Sequence, residues 1–111
     1  MAGALALNSY KTVRSDVTTG ITTVYTAPSG VSAIHLYSVV SNISSGIATV
    51  TVYHYRDGTG YELVKNARIP TRDALQPIGG SLVLEVGDEI RIEGSDNGVM
   101  KYTLSILESA K

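Results

Sequence analysis

The sequence predicts an all-β protein: an antiparallel β-sandwich, jelly-roll-like, with about eight strands and a short N-terminal arm. Segments in which apolar and polar residues alternate recur at short spacing along the chain, separated by Gly, Pro, Asn and Asp. No segment beyond the arm has a convincing helical period. The 111 residues include seven Tyr but no Phe or Trp. Val, Ile and Leu must therefore fill the core, which suits the thin packing of two sheets.

The clearest strand signal lies in Ser81–Gly94. Alternate residues from Leu82 to Val86 are apolar and are expected to share one face, Gly87-Asp88 supplies a turn pair, and Ile90 and Ile92 resume the alternation. The pattern predicts two half-buried strands that a tight corner joins as a hairpin. Its solvent face is expected to carry three glutamates together: Glu85, Glu89 and Glu93.

The chain divides into an N-terminal arm, residues 1–16, and a single β-sandwich domain, residues 17–111. Pro77 restricts its segment to an edge strand or an extended connection, and Asp57-Gly58 is a pair that favours a hairpin. The other predicted strands are Val17–Ala27, Val31–Asn42, Ile47–Tyr55, Tyr61–Val64, Ala67–Pro70, Leu75–Ile78 and Val99–Glu108.

Composition excludes several classes of protein. The net charge is −1, from 9 basic and 10 acidic residues without a basic run, so nucleic acid is disfavoured as a partner. Cys is absent, which removes disulfides and thiolate-bound metals. No apolar run approaches the ~20 residues that span a bilayer. Residues 1–7 are apolar but lack the basic region of a signal peptide, so we expect synthesis in the cytoplasm and no membrane partner.

Residues with catalytic potential are few. The two histidines, His35 and His54, lie inside predicted strands without the spacing of a metal site, and a structural role is expected for both. The motif Leu-x-Leu-x-x-Gly-Asp-x-Ile also occurs in cupin barrels, but the paired His and following Glu of the cupin metal site are missing. Asp57 and Asp88 are explained by their turns. We therefore expect no enzyme, no cofactor and no metal.

Several segments together resemble small structural proteins of tailed bacteriophages, both capsid decoration (cement) proteins and tail-associated proteins. The similarity covers roughly residues 20–108 and leaves the arm outside. Its motifs, Tyr-Thr-Ala-Pro-x-Gly and Leu-x-x-Gly-Asp-x-Ile, mostly encode turns. The segments that carry it are Thr23–Gly30, a strand ending near Asn42, Thr49–Tyr53, Ile69-Pro70, Leu82–Ile92 and Ser105–Glu108.

The resemblance implies a β-sandwich that assembles on a virion as a homo-oligomer, with a trimer favoured. The capsid surface is favoured over the tail, and the major capsid protein or another virion protein is the expected partner. The protein would stabilise the phage head. The arm would either contact a capsid subunit or fold back over its own sandwich, and its expected contact residues are Leu5, Leu7, Tyr10 and Arg14.

Three alternatives remain open. The protein could be an adaptor in the tail, baseplate or collar, or a metal-free cupin-like enzyme. It could also be a carbohydrate-binding or receptor-binding module. Such modules stack sugars on exposed aromatic side chains, and without Trp the candidates flank the Arg56–Gly60 turn: Tyr53, Tyr55 and Tyr61.

Overall fold

The computed structural model describes residues 8–110, which form two antiparallel sheets. Nine strands follow one another along the chain: β1 (Asn8–Asp16), β2 (Thr22–Thr26), β3 (Val31–Asn42), β4 (Ala48–Arg56), β5 (Thr59–Ile69), β6 (Ala74–Leu75), β7 (Leu82–Leu84), β8 (Glu89–Gly94) and β9 (Met100–Ala110). Sheet A has the order β1-β9-β3-β6, and β7 also pairs with β3; sheet B has the order β2-β8-β4-β5.

This strand order is that of a jelly roll, and the predicted fold class is confirmed. The chain passes repeatedly from one sheet to the other, and the two sheets bury their facing sides against each other. The short strands β6 and β7 pair with opposite ends of β3, so they share one strand position. The nine strands therefore fill eight positions, as the sequence predicted.

The predicted hairpin at Ser81–Gly94 is wrong. Strand β7 pairs with β3 in sheet A, whereas β8 pairs with β2 and β4 in sheet B. The residues between them, 85–88, form a corner that carries the chain from one sheet to the other. Val86 is 49% exposed in this corner and does not share the buried face of Leu84. Alternation shows which side chains are buried, but it does not show which strand is the neighbour.

Three other assignments differ substantially from the prediction. Asn8–Asp16, assigned to the arm, forms β1 and pairs with β9 throughout its length; residues 1–7 lie outside the described part of the chain. Strand β2 begins only at Thr22. The two strands predicted within residues 61–70 are one strand, β5, interrupted by a bulge at Asn66, where φ is 49°. The Thr51 hydroxyl accepts a hydrogen bond from the Asn66 N–H at 3.0 Å and satisfies this irregular backbone.

The core lies between the sheets and is mainly aliphatic, as the composition predicted. Side chains from both sheets are fully buried, including Ile90, Ile92, Leu104 and Ile106. At about 25 cal/mol per Å² of buried apolar surface, this packing is the main stabilising term. Tyr102 is the one aromatic among the largest fully buried side chains of the described residues.

His35 is also fully buried, on the inner side of β3. Its Nδ1 lies 3.1 Å from the Gly80 carbonyl oxygen; because a carbonyl only accepts, Nδ1 carries the proton. Its Nε2 is buried without a hydrogen-bond partner, as are the Ser38 and Tyr102 hydroxyl oxygens. Burial lowers the pKa of His35 from its ordinary value of 6.5, so the folded protein holds this ring neutral.

We predict that His35 makes the fold sensitive to mild acid. As the pH falls below the ordinary value of 6.5, the unfolded chain takes up a proton that the folded chain resists, and the free energy of unfolding decreases. Urea unfolding at about pH 7.5 and about pH 5 should therefore show a larger loss for the wild type than for His35→Gln. Both proteins contain His54, so any contribution of His54 to the pH dependence of unfolding is common to them. Equal losses would contradict the prediction.

Candidate functional site

The outer surface of sheet A carries an apolar row that crosses all of its strand positions at one level. Tyr10 of β1 pairs with Leu107 of β9, Leu107 pairs with Ile34 of β3, and Ile34 pairs with Val83 of β7. Tyr10 is 73% exposed and Val83 is 62% exposed. At about 4.8 Å between strands, the row is about 14 Å long. Tyr37, also exposed, adds an aromatic ring one level further along.

Polar residues border this row at both ends of the sheet. At one end the Ser109 hydroxyl donates a 2.7 Å hydrogen bond to Asn8 Oδ1, and at the other Lys101 Nζ lies 2.6 Å from Asp16 Oδ1. An apolar centre with a polar border is the usual composition of a protein–protein contact. We call the row together with Tyr37 the apolar face.

The structure places two of the four expected arm contacts on this side of the molecule. Tyr10 belongs to the apolar face itself, and Arg14 lies on the same side of β1, opposite Thr103. Leu5 and Leu7 lie outside the described residues. Tyr10 and Arg14 are thus held on a paired strand of the sandwich.

The corner between β7 and β8 contains a cluster of polar groups that the sequence pattern did not predict. The Asp88 side chain is 1% exposed. Its Oδ1 accepts a hydrogen bond from Arg56 Nε at 2.8 Å, and its Oδ2 accepts from Arg56 Nη2 at 2.7 Å. Oδ2 also accepts from the Glu85 N–H at 2.8 Å and lies 2.9 Å from His54 Nε2. This carboxylate therefore fastens the corner to the end of β4.

These contacts determine the ionisation of the cluster. The hydrogen bonds from Arg56, followed by those from His54 and the Glu85 N–H, hold the pKa of Asp88 well below its ordinary value, although burial opposes the shift. The same contact raises the pKa of Arg56. The Asp88 carboxylate is 1% exposed and accepts hydrogen bonds both from the corner and from the end of β4, so we assign Asp88 a structural role.

The outer surface of sheet B is polar and aromatic. Arg91 lies over the Tyr55 ring at 3.9 Å from its centroid and donates a hydrogen bond to Glu89 at 2.8 Å. Tyr53 packs edge-on against Tyr55, with centroids 5.5 Å apart. The Tyr53 hydroxyl donates to Glu93 at 2.7 Å, and this bond raises the pKa of Tyr53 to about 12. The side chains bind one another and form an ordered layer.

The three tyrosines expected to hold a sugar do not share one face. Tyr53 and Tyr55 belong to the layer on sheet B. Tyr61 pairs with His54 and is therefore on the opposite side of that sheet, at the end of the sandwich. It is 69% exposed and lines a shallow groove of about 410 Å³ with His54 and Arg56.

The predicted glutamate face is also divided. Glu89 and Glu93 lie on the outer side of β8, bound to Arg91 and Tyr53 respectively, whereas Glu85 lies in the corner, 3.1 Å from Arg56. Within residues 8–110, no three His, Asp or Glu side chains come together as a metal site. The same residues contain no helix long and apolar enough to cross a membrane.

Comparisons with known proteins bear on the fold alone. The sequence matches no protein-family model and no curated protein. Among solved structures, the chain is similar to a subunit of Bacillus endospore appendages, described as a novel family of disulfide-linked pili. The TM-score is 0.56 at 14% identity, over 100% of this chain and 99% of that chain. The likeness thus extends over the whole sandwich.

We predict that Asp88→Asn lowers the free energy of unfolding by about 2 kcal/mol, because charge-assisted hydrogen bonds inside the corner are lost. Glu85→Gln is the matched control: Glu85 is 68% exposed, and its loss should cost less than about 0.5 kcal/mol. Urea unfolding near pH 7 measures both. The Asp88 contribution is present above its ordinary pKa of 3.8 and disappears as the pH falls below it. Equal losses for the two variants would contradict the assignment.

Proposed function

We propose that the protein is a non-enzymatic structural subunit that binds the surface of a larger protein assembly through the outer side of sheet A. The observation that carries the proposal is the apolar face. It joins Tyr10, Leu107, Ile34 and Val83 across the sheet, and polar residues border it towards both ends of the strands. Exposed apolar surface arranged in this way marks contact sites. A phage capsid, with the major capsid protein as partner, is the assembly we favour.

The buried polar groups support a structural role, because they connect the two sheets. Asp88 fastens the corner to β4 in sheet B. The Tyr25 hydroxyl of β2 donates to Glu108 of β9 at 2.5 Å. The Asn42 side chain, at the end of β3, donates to the Ile69 carbonyl of β5 at 3.0 Å. These contacts give a rigid body on which an exposed face keeps its shape.

A second candidate is a subunit of an extracellular filament. It is favoured by the likeness to the endospore appendage protein, which extends over the whole chain. That protein belongs to disulfide-linked pili, whereas this chain has no Cys. A filament of this protein would therefore be held by contacts other than disulfides of this chain. An adaptor in the phage tail would use the apolar face in the same manner.

The carbohydrate-binding alternative has less support. Tyr53 and Tyr55 are occupied with Arg91 and Glu93, and only Tyr61 presents a free aromatic surface at the groove. Absence of binding on a glycan array at high protein concentration would remove this alternative.

Location is the first test of the proposal. We expect antibodies raised against the purified protein to label phage heads in immunogold electron microscopy of particles from the source organism. Label on tails would favour the adaptor, and label on surface fibres the filament subunit. Protein found only free in the soluble fraction, with no particle labelled, would contradict the proposal.

Binding should depend on the apolar face. On particles stripped of the native protein, we expect Val83→Glu to weaken binding at least ten-fold, because a charge would be buried at the contact without a partner. Val86→Glu is the matched control, since Val86 is also an exposed valine, at 49%, but lies in the corner. Both variants should keep the wild-type unfolding midpoint. Equal binding by the two variants would refute the role of this face.

The role of the arm can be tested without damage to the sandwich. Deletion of residues 1–7 leaves β1 intact, whereas a longer deletion would remove part of a paired strand. If Leu5 and Leu7 contact a capsid subunit, the shortened protein should bind stripped particles several-fold more weakly because apolar contact is lost. Undiminished binding would exclude the arm from the contact.

A further inference from the structure

The exposed edges of the two sheets are not equally protected against pairing with another chain. An edge strand presents unpaired N–H and C=O groups, and most proteins shorten, bend or cover it. Among the described residues, β6 and β7 contain two and three residues. Strand β2 contains five and has a register shift, and β5 has the bulge at Asn66. These edges are short or irregular.

Strand β1 is different. It has nine residues, contains no Pro, and pairs with β9 from Asn8↔Ser109 to Asp16↔Lys101 without a register shift. Its other edge has no strand partner in the described structure. A groove of about 750 Å³ lies over the second half of β1 and the residues of β9 that pair with it, 12–16 and 101–103. The strand is thus a long, regular edge without a strand partner among the described residues.

Lys11, one of three charged residues on this edge, forms an ion pair within the molecule. Lys11 Nζ lies 3.0 Å from Glu108 Oε1, and Glu108 also accepts the hydrogen bond from Tyr25. A lysine on an edge strand often repels an incoming strand. Here it is held by β9, so β1 is fixed in place from the inner side while its edge stays open.

We propose that β1 pairs antiparallel with β1 of a second copy, across a two-fold axis at Thr12. In such a pair each residue faces the one at the mirror position, so complete overlap of Asn8–Asp16 with itself sets Thr12 opposite Thr12. In this register Tyr10 faces Arg14 of the other copy, and Asn8 faces Asp16. A cation above an aromatic ring and an amide beside a carboxylate are both favourable pairs.

Neighbouring registers are less favourable. With the axis at Lys11, two lysines would face each other, and like charges in opposite positions are destabilising. With the axis at Val13, Asn8 and Ser9 would have no partner in the other strand. The central register sets Lys11 opposite Val13 and leaves no like charges face to face. The sequence of β1 is therefore self-complementary at full overlap.

This pairing would join the two A sheets into one continuous sheet and place both apolar faces on the same side. The inference does not rest on the proposed function, since it concerns contact between copies and not contact with a particle. A two-fold pair gives a dimer, so the trimer that the phage resemblance favours would require another contact. A measured dimer would therefore support the β1 pairing, and a measured trimer would support the assembly that the phage resemblance implies.

Disulfide cross-linking tests the register directly, because the chain has no Cys. Residues directly opposite have Cα atoms about 4.5–5.5 Å apart, within the range of a disulfide. We expect Thr12→Cys to form a covalent dimer under mild oxidation at least ten-fold faster than Tyr10→Cys. Tyr10 is on the same strand and side, but its two copies would be about 13 Å apart. Equal rates, or no dimer from Thr12→Cys, would overturn the proposal.

Sedimentation equilibrium over a concentration series tests the contact without a cross-link. We expect a dimer, and Thr12→Lys should raise its dissociation constant by about five-fold or more through like charges in opposite positions. Ser105→Lys is the control, because Ser105 pairs with Thr12 on β9 and lies one strand away from the edge. A wild-type monomer or trimer, or equal effects of the two variants, would overturn the proposal.

Discussion

The buried carboxylate of Asp88 fixes the corner through which the chain passes from sheet A to sheet B. The chain leaves sheet A after β7 and enters sheet B at β8, which lies between β2 and β4. Asp88 holds this corner through the Glu85 N–H and fastens it to Arg56 and His54 at the end of β4. A buried charge is tolerated only with such partners. The corner thereby positions β8, one of the two central strands of sheet B, and, on the other side, β7, the strand that carries Val83.

The outer sides of the two sheets differ in chemistry. On sheet B, the side chains of Arg91, Tyr55, Tyr53 and Glu93 contact one another, so few of their polar and aromatic groups remain available to a partner. On sheet A, apolar side chains lie in a row with polar borders and end at β1, the long regular edge. The molecule is thus stabilised on one side and open to contact on the other, which is the arrangement expected of a subunit in an assembly.

The sequence predicted what depends on local pattern. Both ends of β3 were predicted correctly, and the Asp57-Gly58 turn has positive φ at both residues, 53° and 78°, as a hairpin of this type requires. Alternation could not show that β7 and β8 belong to different sheets, because strand partners are distant in sequence. For the same reason Asp88 was explained by its turn alone. Its partners, His54 and Arg56, are more than thirty residues away. The only sign of this cluster in the sequence was the spacing of His54 and Arg56, two residues apart at the end of a strand.

Hydrogen exchange measured on the free and the assembled protein shows whether sheet A is the contact side. Backbone amides at an open edge exchange quickly and become protected when another chain covers or pairs with them. If sheet A is the contact side, assembly increases protection in residues 8–16, in β1, and leaves the turn between β4 and β5 unchanged. Added protection confined to that turn, with β1 unchanged, would contradict this assignment and place the contact on sheet B.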